Sequence, residues 1–322
     1  MRNDPWEGIA SDASQLLGRR VDGEHVLSVY WVRGVDSSPG VVFRKIDADA
    51  VPTKLPRFKG LAVRVAEGFG GEREIQLFLA SPRDREIFST LCRDVVDFSS
   101  RANNRPAATA AVFTRLGHWQ HLLSRGAQLE MSPPEVRGLI GELLVLLRAA
   151  DSRGIHFAIS AWVAPDDHPQ DFAFPDRLLE VKARLAGSRQ QVQISSLEQL
   201  DRGNLPIFLV VLELAPADGD ASRSLADLVD HARSLADSAG TDCRNALEGQ
   251  LLRRGYLDLE IYSVDRYQLS GERAFRVVDG FPGIVRSKTD LRIRQATYLL
   301  DIPSLDAFAC SIEDALYGVD RS

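Results

Sequence analysis

The sequence predicts an α/β protein, and three observations carry that reading. The first ninety or so residues run as short apolar strands between Gly- and Pro-bearing turns. A helix introduced by Ser132-Pro133-Pro134 then gives way to a series of strands rather than to further helices. The chain has 322 residues, 44% apolar and 26% charged, which suffices for two or three domains with real cores. Charges interrupt every apolar stretch before the ~18 positions a membrane span needs, and the start Met1-Arg2-Asn3-Asp4 lacks a secretory h-region, so a cytoplasmic protein without membrane contact is expected. Cys92, Cys243 and Cys310 are too scattered for a disulfide framework or a thiolate zinc site and read as small buried hydrophobes.

In the N-terminal part, Val26 to Val32, Gly40 to Phe43, Leu61 to Val65 and Glu74 to Leu79 have strand character, the last after the Gly68 to Gly71 turn. Helical spacing follows over Ser81 to Phe98 and Ala107 to Arg125. Ser132 caps a third helix from Glu135 to Ala150, with the prolines in its first turn. Strands are expected at Ile155 to Val163, Gln170 to Phe174, Arg177 to Leu185, Gln190 to Ile194 and Ile207 to Leu214, with a short helix at Ser196 to Asp201. Asp218 to Asp242 reads as an acidic surface helix, and the remainder as strands near 257–264, 274–278 and 296–300 with a last helix near 304–317. These elements divide the chain into a β-rich domain at 1–98, a core at 99–215 and an α/β extension at 216–322.

The chemistry concentrates in His168-Pro169-Gln170-Asp171-Phe172-Ala173-Phe174-Pro175-Asp176-Arg177-Leu178-Leu179-Glu180-Val181-Lys182. Phe174 to Arg177 is a turn, so Asp171 and Glu180 fall on adjacent strands of a hairpin. Strand alternation puts Glu180 and Lys182 on one face while Leu179 and Val181 point the other way. Carboxylates from neighbouring strands are the ligands Mg²⁺ or Mn²⁺ takes while keeping waters and binding a phosphate, and an adjacent lysine can assist the attacking water. A third acid, Glu142, lies in the apolar stripe of the preceding helix, where a metal site would relieve its burial. The implied chemistry is phosphodiester hydrolysis. Only five of 39 basic residues are lysines, which makes the position of Lys182 informative.

This arrangement resembles the PD-(D/E)XK nuclease superfamily, and the stretch from Glu135 to Leu214 looks most like the defence-associated bacterial PD-(D/E)XK motif proteins. The resemblance implies a restriction-endonuclease-like core with Asp171, Glu180 and Lys182 in the signature positions and Glu142 as the helix acid. Asp171, Glu180 and Glu142 would then bind Mg or Mn. Gln193 resembles the polar residue on the strand after the motif and completes the implied catalytic set. Gln170 stands where the family motif has proline. The resemblance further implies a DNA endonuclease acting as the effector of a restriction or phage-defence system.

Two other readings remain open from the residues: a catalytically degenerate fold serving as a DNA-binding or assembly subunit, and an RNA-directed nuclease. DNA is the expected partner, with a homodimer and a separate ATPase or methyltransferase subunit as further expectations, since no Walker motif is present. A formal net charge of −6 requires any phosphate contact to be regional. The segment 253–294, with nine basic residues against six acids, is the expected contact surface.

Overall fold

The computed structural model describes residues 4–10, 12, 16–21, 23–124, 130–164 and 168–317. It divides into two compact units, residues 1–129 and 130–322. This two-way division falls after the second helix, whereas the sequence reading places boundaries at 98/99 and 215/216.

In the first unit, β1 (Leu17–Arg20), β2 (Ser28–Arg33), β3 (Pro39–Arg44), β4 (Leu61–Glu67) and β5 (Arg73–Leu79) form an antiparallel sheet in the order β1-β2-β3-β5-β4. Two helices follow, α1 (Arg85–Ser100) and α2 (Arg105–Ser124). Alternation along β5 buries Ile75 and Leu77, and the apolar stripe of α1 buries Phe88, Leu91 and Val95. Trp6 stacks on Phe88 at 5.4 Å between centroids and donates its indole N–H to the Gly40 carbonyl at 2.7 Å. The helices α1 and α2 are tied by Asp94, which accepts from Arg115 Nε at 2.7 Å and Trp119 Nε1 at 2.6 Å. That pairing is why α2, expected in the core domain, belongs to the first unit.

The second unit opens with α3 (Pro133–Arg153), started by a capping box in which the Ser132 N–H donates to Glu135 Oε2 at 2.8 Å. Gly154, at φ +84, ends it and turns the chain into α4 (Ile155–Ala161). This segment was expected to be a strand. Ile155, Ala158, Ile159 and Trp162 are all buried, and that spacing is helical; the β-branched composition concealed it.

The sheet of this unit comprises β6 (Phe172–Phe174), β7 (Arg177–Leu185), β9 (Ile207–Pro216), β10 (Arg223–Ser224), β11 (Arg266–Val277) and β13 (Ala309–Cys310). Its order is β10-β11-β9-β7-β6, with β13 on β11; β7 and β9 run parallel and the remaining pairs antiparallel. β9 lies at the middle and reads Ile-Phe-Leu-Val-Val-Leu, apolar on both faces as a doubly covered strand must be. One face is covered by α3, α4, α5 (Leu225–Ala239) and α6 (Thr241–Arg253). On the other lies a ribbon of β8 (Gln191–Ile194) and β12 (Tyr298–Asp301), which with Leu305 buries Leu209, Val211 and Phe275. A short helix, α7 (Ile312–Tyr317), closes the described chain.

Three further expectations give way to the structure. Residues 196–201 form turns, 257–264 hold a 3₁₀ turn at Glu260–Ser263 rather than a strand, and 304–317 splits into a 3₁₀ segment, β13 and α7. The first two lack the length to repay helix nucleation or a neighbouring strand to pair with. The acidic stretch 218–242 holds α5 and the start of α6, split at Gly240 with φ +110. Gly141 lets α3 approach the sheet closely: a Cβ there would lie 3.0 Å from Ala183 Cβ on β7. A Cβ on Gly138 would meet nothing closer than Arg254 at 3.9 Å.

Candidate active site

The site is built where β6 and β7 part company. The hairpin pairs Phe172 with Leu179, Ala173 with Leu178 and Phe174 with Arg177, across a turn at Pro175-Asp176. One residue before β6, the Asp171 N–H still donates to the Leu179 carbonyl at 3.0 Å, but the Asp171 side chain takes over the next rung: Oδ2 accepts from the Val181 N–H at 2.7 Å. The backbone before Asp171 is free to leave the ladder, because its carboxylate satisfies a strand N–H that would otherwise be orphaned. The Asp171 carbonyl accepts from Val163 and Ala164, at 2.9 and 3.1 Å. Gln170 anchors the approach from the other side, donating Nε2 to the Glu198 and Gln199 carbonyls at 2.8 and 3.0 Å. That is the local role of the residue standing in place of the motif proline.

Along β7, Leu179 and Val181 join the core under α3, so Glu180 and Lys182 turn to the opposite face. Lys182 Nζ lies 2.7 Å from Glu180 Oε1 in an ion pair; Glu180 is 1% exposed and Lys182 18%. Apart from that Lys182 contact, neither Glu180 oxygen has a hydrogen-bond partner among the described residues. Glu142, on α3 next to Gly141, is also buried. Its Oε2 accepts from Trp162 Nε1 at 2.9 Å, and both its oxygens accept from Arg254 Nε at 3.0 Å, with Arg254 Nη2 closing a fork on Oε1. Gln250 on α6 donates to the Trp162 carbonyl at 3.1 Å and so holds the backbone that carries the indole.

Electrostatics tie the three acids together. Burial pushes Asp171 well above the usual carboxylate value, the Glu180 and Glu142 charges push it further, and Lys182 and the Val181 N–H oppose them. Burial raises Glu180 from 4.5 to about 7, Lys182 opposing and Glu142 adding to the rise. The Glu142 charge, with help from Asp171 and Glu135, holds the Arg254 guanidinium firmly protonated against its burial. Carboxylates that resist ionising together in one place are the electrostatic signature of a site that accepts a cation.

Among the described residues, no three His, Cys, Asp or Glu side chains form a ready-made cage. The donor set nevertheless suits a hard divalent ion that keeps its waters: Glu180 offers a buried carboxylate whose close polar partner is the Lys182 ammonium, and Asp171, whose Oδ2 takes the Val181 N–H, is near enough to feel its charge. Glu142 stands next to them, already held by Arg254 and Trp162.

Of the residues singled out in the sequence, Asp171, Glu180, Lys182 and Glu142 come together. No hydrogen bond or ion pair links Gln193 to them among the described residues. It is exposed on β8 between the buried Val192 and Ile194, and its amide reaches only Ser195 Oγ at 3.4 Å. Sequence reasoning missed Arg254, Trp162 and Gln170. The buried acid at 142 was itself the signal for a partner, since an unpaired carboxylate there is costly, but which of the chain's many arginines would answer it is fixed only by the docking of α6 on α3. Much of the expected contact segment is also committed: besides Arg254, Arg266 pairs with Asp227 at 2.9 Å, Arg286 with Glu198 at 3.1 Å, Arg292 with Asp290 at 2.7 Å, and Arg273 with Asp306.

A family model described as "Putative PD-(D/E)XK family member, (DUF4420)" matches residues 2–303. No curated protein and no solved structure matches the chain.

Two outcomes follow from this electrostatic arrangement. Folded Glu180 holds its proton more tightly than the unfolded chain does, so between about 4.5 and about 7 the folded state carries the extra proton and stability falls as pH rises. Urea unfolding without divalent ions should show this loss, on the order of 2–3 kcal/mol, and Glu180→Gln should flatten it. Arg254→Met should leave Glu142 buried without its cation. The partial exposure of Arg254 reduces the usual buried-pair cost to about 2–3 kcal/mol. Adding Glu142→Gln should recover much of it in a double-mutant cycle.

Proposed function

The chain belongs to the PD-(D/E)XK family DUF4420, and from that membership we propose that it is a metal-dependent DNA endonuclease that hydrolyses phosphodiester bonds. The observation that carries the reading is the buried Glu180 carboxylate, beside Asp171 and with the Lys182 ammonium at 2.7 Å as its one close polar partner among the described residues. A bound Mg²⁺ or Mn²⁺ supplies Lewis acidity and charge neutralisation at the phosphate. Asp171 and Glu180 hold it, with Glu142 behind them as a charge fixed in place by Arg254 and Trp162. Lys182 is a compact ammonium able to donate to a non-bridging phosphate oxygen or to orient the attacking water. A bond from the water oxygen to phosphorus forms and the bond from phosphorus to the leaving oxygen breaks; one proton of the water passes by way of solvent to the leaving oxygen, and the other stays with the new phosphate monoester.

The proposal extends to cellular role: an effector of a restriction or phage-defence system, working with a separate ATPase or methyltransferase subunit. No helix of the described residues is long and apolar enough to cross a membrane. One observation favours a second reading, a DNA-binding or assembly subunit that has lost catalysis: the Glu142 carboxylate is already taken by Arg254.

Lys182→Arg separates the two. Arginine keeps the charge but changes its placement and cannot share a proton. Under the nuclease reading it lowers the single-turnover cleavage rate of a DNA duplex by roughly 10² while DNA affinity stays within a few-fold. Equal rates for the two active preparations would remove Lys182 from the chemistry. A wild type that binds DNA with divalent metal present, yet cuts neither DNA nor RNA, would support the assembly reading.

A further inference from the structure

The first unit carries a basic trough that the carboxylate site does not use. Its rim is the irregular segment joining β3 to β4. From Ala50 to Ala66 the sequence contains Lys54, Arg57, Lys59 and Arg64 and no acid, and α2 contains no acid either. The chain-wide proportion of 45 acids in 322 residues would place about five in those two stretches. Lys54, Arg57 and Lys59 are exposed, and none of the three has an ion-pair or hydrogen-bond partner among the described residues. The contrast with the C-terminal arginines, largely paired to carboxylates, is plain.

Between that rim and α2 lies an open cavity of about 1130 Å³, floored by Val63 and by Phe113 and Gly117 of α2. A Cβ on Gly117 would meet nothing within 4 Å, so the helix is uncovered there. A second cavity of about 580 Å³ continues it past Lys59 toward α1. Arg57 and Gln120 line both, which makes the two a single trough. Asp84, at the far end of the smaller cavity, is the one acid among the described lining residues.

We propose that this trough is a second DNA-contact site, in which Lys54, Arg57 and Lys59 bind the sugar–phosphate backbone. The inference rests on the endonuclease reading for its choice of polyanion. Three unpaired cations within six residues, over walls whose one described acid is Asp84 at the far end, supply a regional positive field on a chain of net charge −6. A point charge at Lys54 and Lys59 flanking a guanidinium at Arg57 suits phosphate oxygens rather than base edges, so the contact is independent of sequence.

The test uses the full chain and a short DNA duplex, with affinity read by fluorescence anisotropy across a salt series and cleavage read in parallel. The variant Lys54→Gln/Arg57→Gln/Lys59→Gln changes exposed residues only, and its circular dichroism should match wild type. The inference predicts at least a tenfold loss of affinity and a salt slope shallower by about 3, one counterion-release step per lost phosphate contact. It also predicts a raised KM with kcat within twofold. The charge-matched control Lys288→Gln/Arg292→Gln/Arg294→Gln should keep affinity and slope near wild type.

If the trough variant binds with wild-type slope while the wild type cuts DNA, this inference falls and the endonuclease reading stands. If the wild type neither binds nor cuts DNA, both fall. Equal losses in trough variant and control would reduce the trough to general charge and overturn it. Unchanged DNA affinity with lost binding to polyglutamate would assign the trough to an acidic protein partner instead.

Discussion

Three carboxylates placed together beneath the protein surface repel one another far more strongly than they would in water, and the second unit is arranged around containing that repulsion. Two cations do most of the work. Arg254 forks onto Glu142 from the end of α6, and Lys182 reaches back along its own strand to Glu180. Asp171 receives a backbone N–H instead of a charge. Asp171 is left with the least compensation and burial pushes its carboxyl well above the usual value, while Glu180, even with Lys182 beside it, rises to about 7. A fold that keeps a carboxylate in this condition bears a cost in stability, and a divalent ion bound between Asp171 and Glu180 would offset it.

The same constraint explains why the C-terminal residues are integral to the second unit. α6 brings Arg254 to Glu142 and Gln250 to Trp162, while Trp162 itself donates to Glu142. β11 pairs with β9 on the side away from β7, so the strand next to the one carrying Glu180 and Lys182 is flanked on both sides. Removing the residues after 215 would therefore strip the site of its counter-charge and expose the flank of its central strand.

How far the sequence could be read follows from which signals were local. The span of β7 was legible to the residue, because alternation, the Pro175-Asp176 turn and the buried apolar partners agree. Alternation also placed Glu180 beside Lys182, and the hairpin placed Asp171 next to them. α4 was misread because Ile155, Phe157 and Ile159 suit a strand by composition, whereas the burial of Ala158 and Trp162 against α3 and its neighbours imposes a helix. α6 passed unnoticed because its buried face includes Glu248 and Gln250, polar residues satisfied only in three dimensions: Glu248 accepts from Arg233 Nε at 2.8 Å and Arg244 Nε at 2.9 Å. The Arg254 pairing was hidden for the same reason, spanning 112 positions of sequence. Gln193 was named from family pattern alone; it is exposed on β8, between the buried Val192 and Ile194.

The central claim is that the carboxylates at the parting of β6 and β7 hold a divalent cation. Mn²⁺ titration followed by electron paramagnetic resonance tests it without reference to any substrate, because the signal of the free aqua ion disappears on binding. The account predicts one bound Mn²⁺ per chain in the wild type and a signal close to that of free Mn²⁺ for Glu180→Gln, with both proteins folded. Equal Mn²⁺ binding by wild type and Glu180→Gln, or none by either, would contradict it.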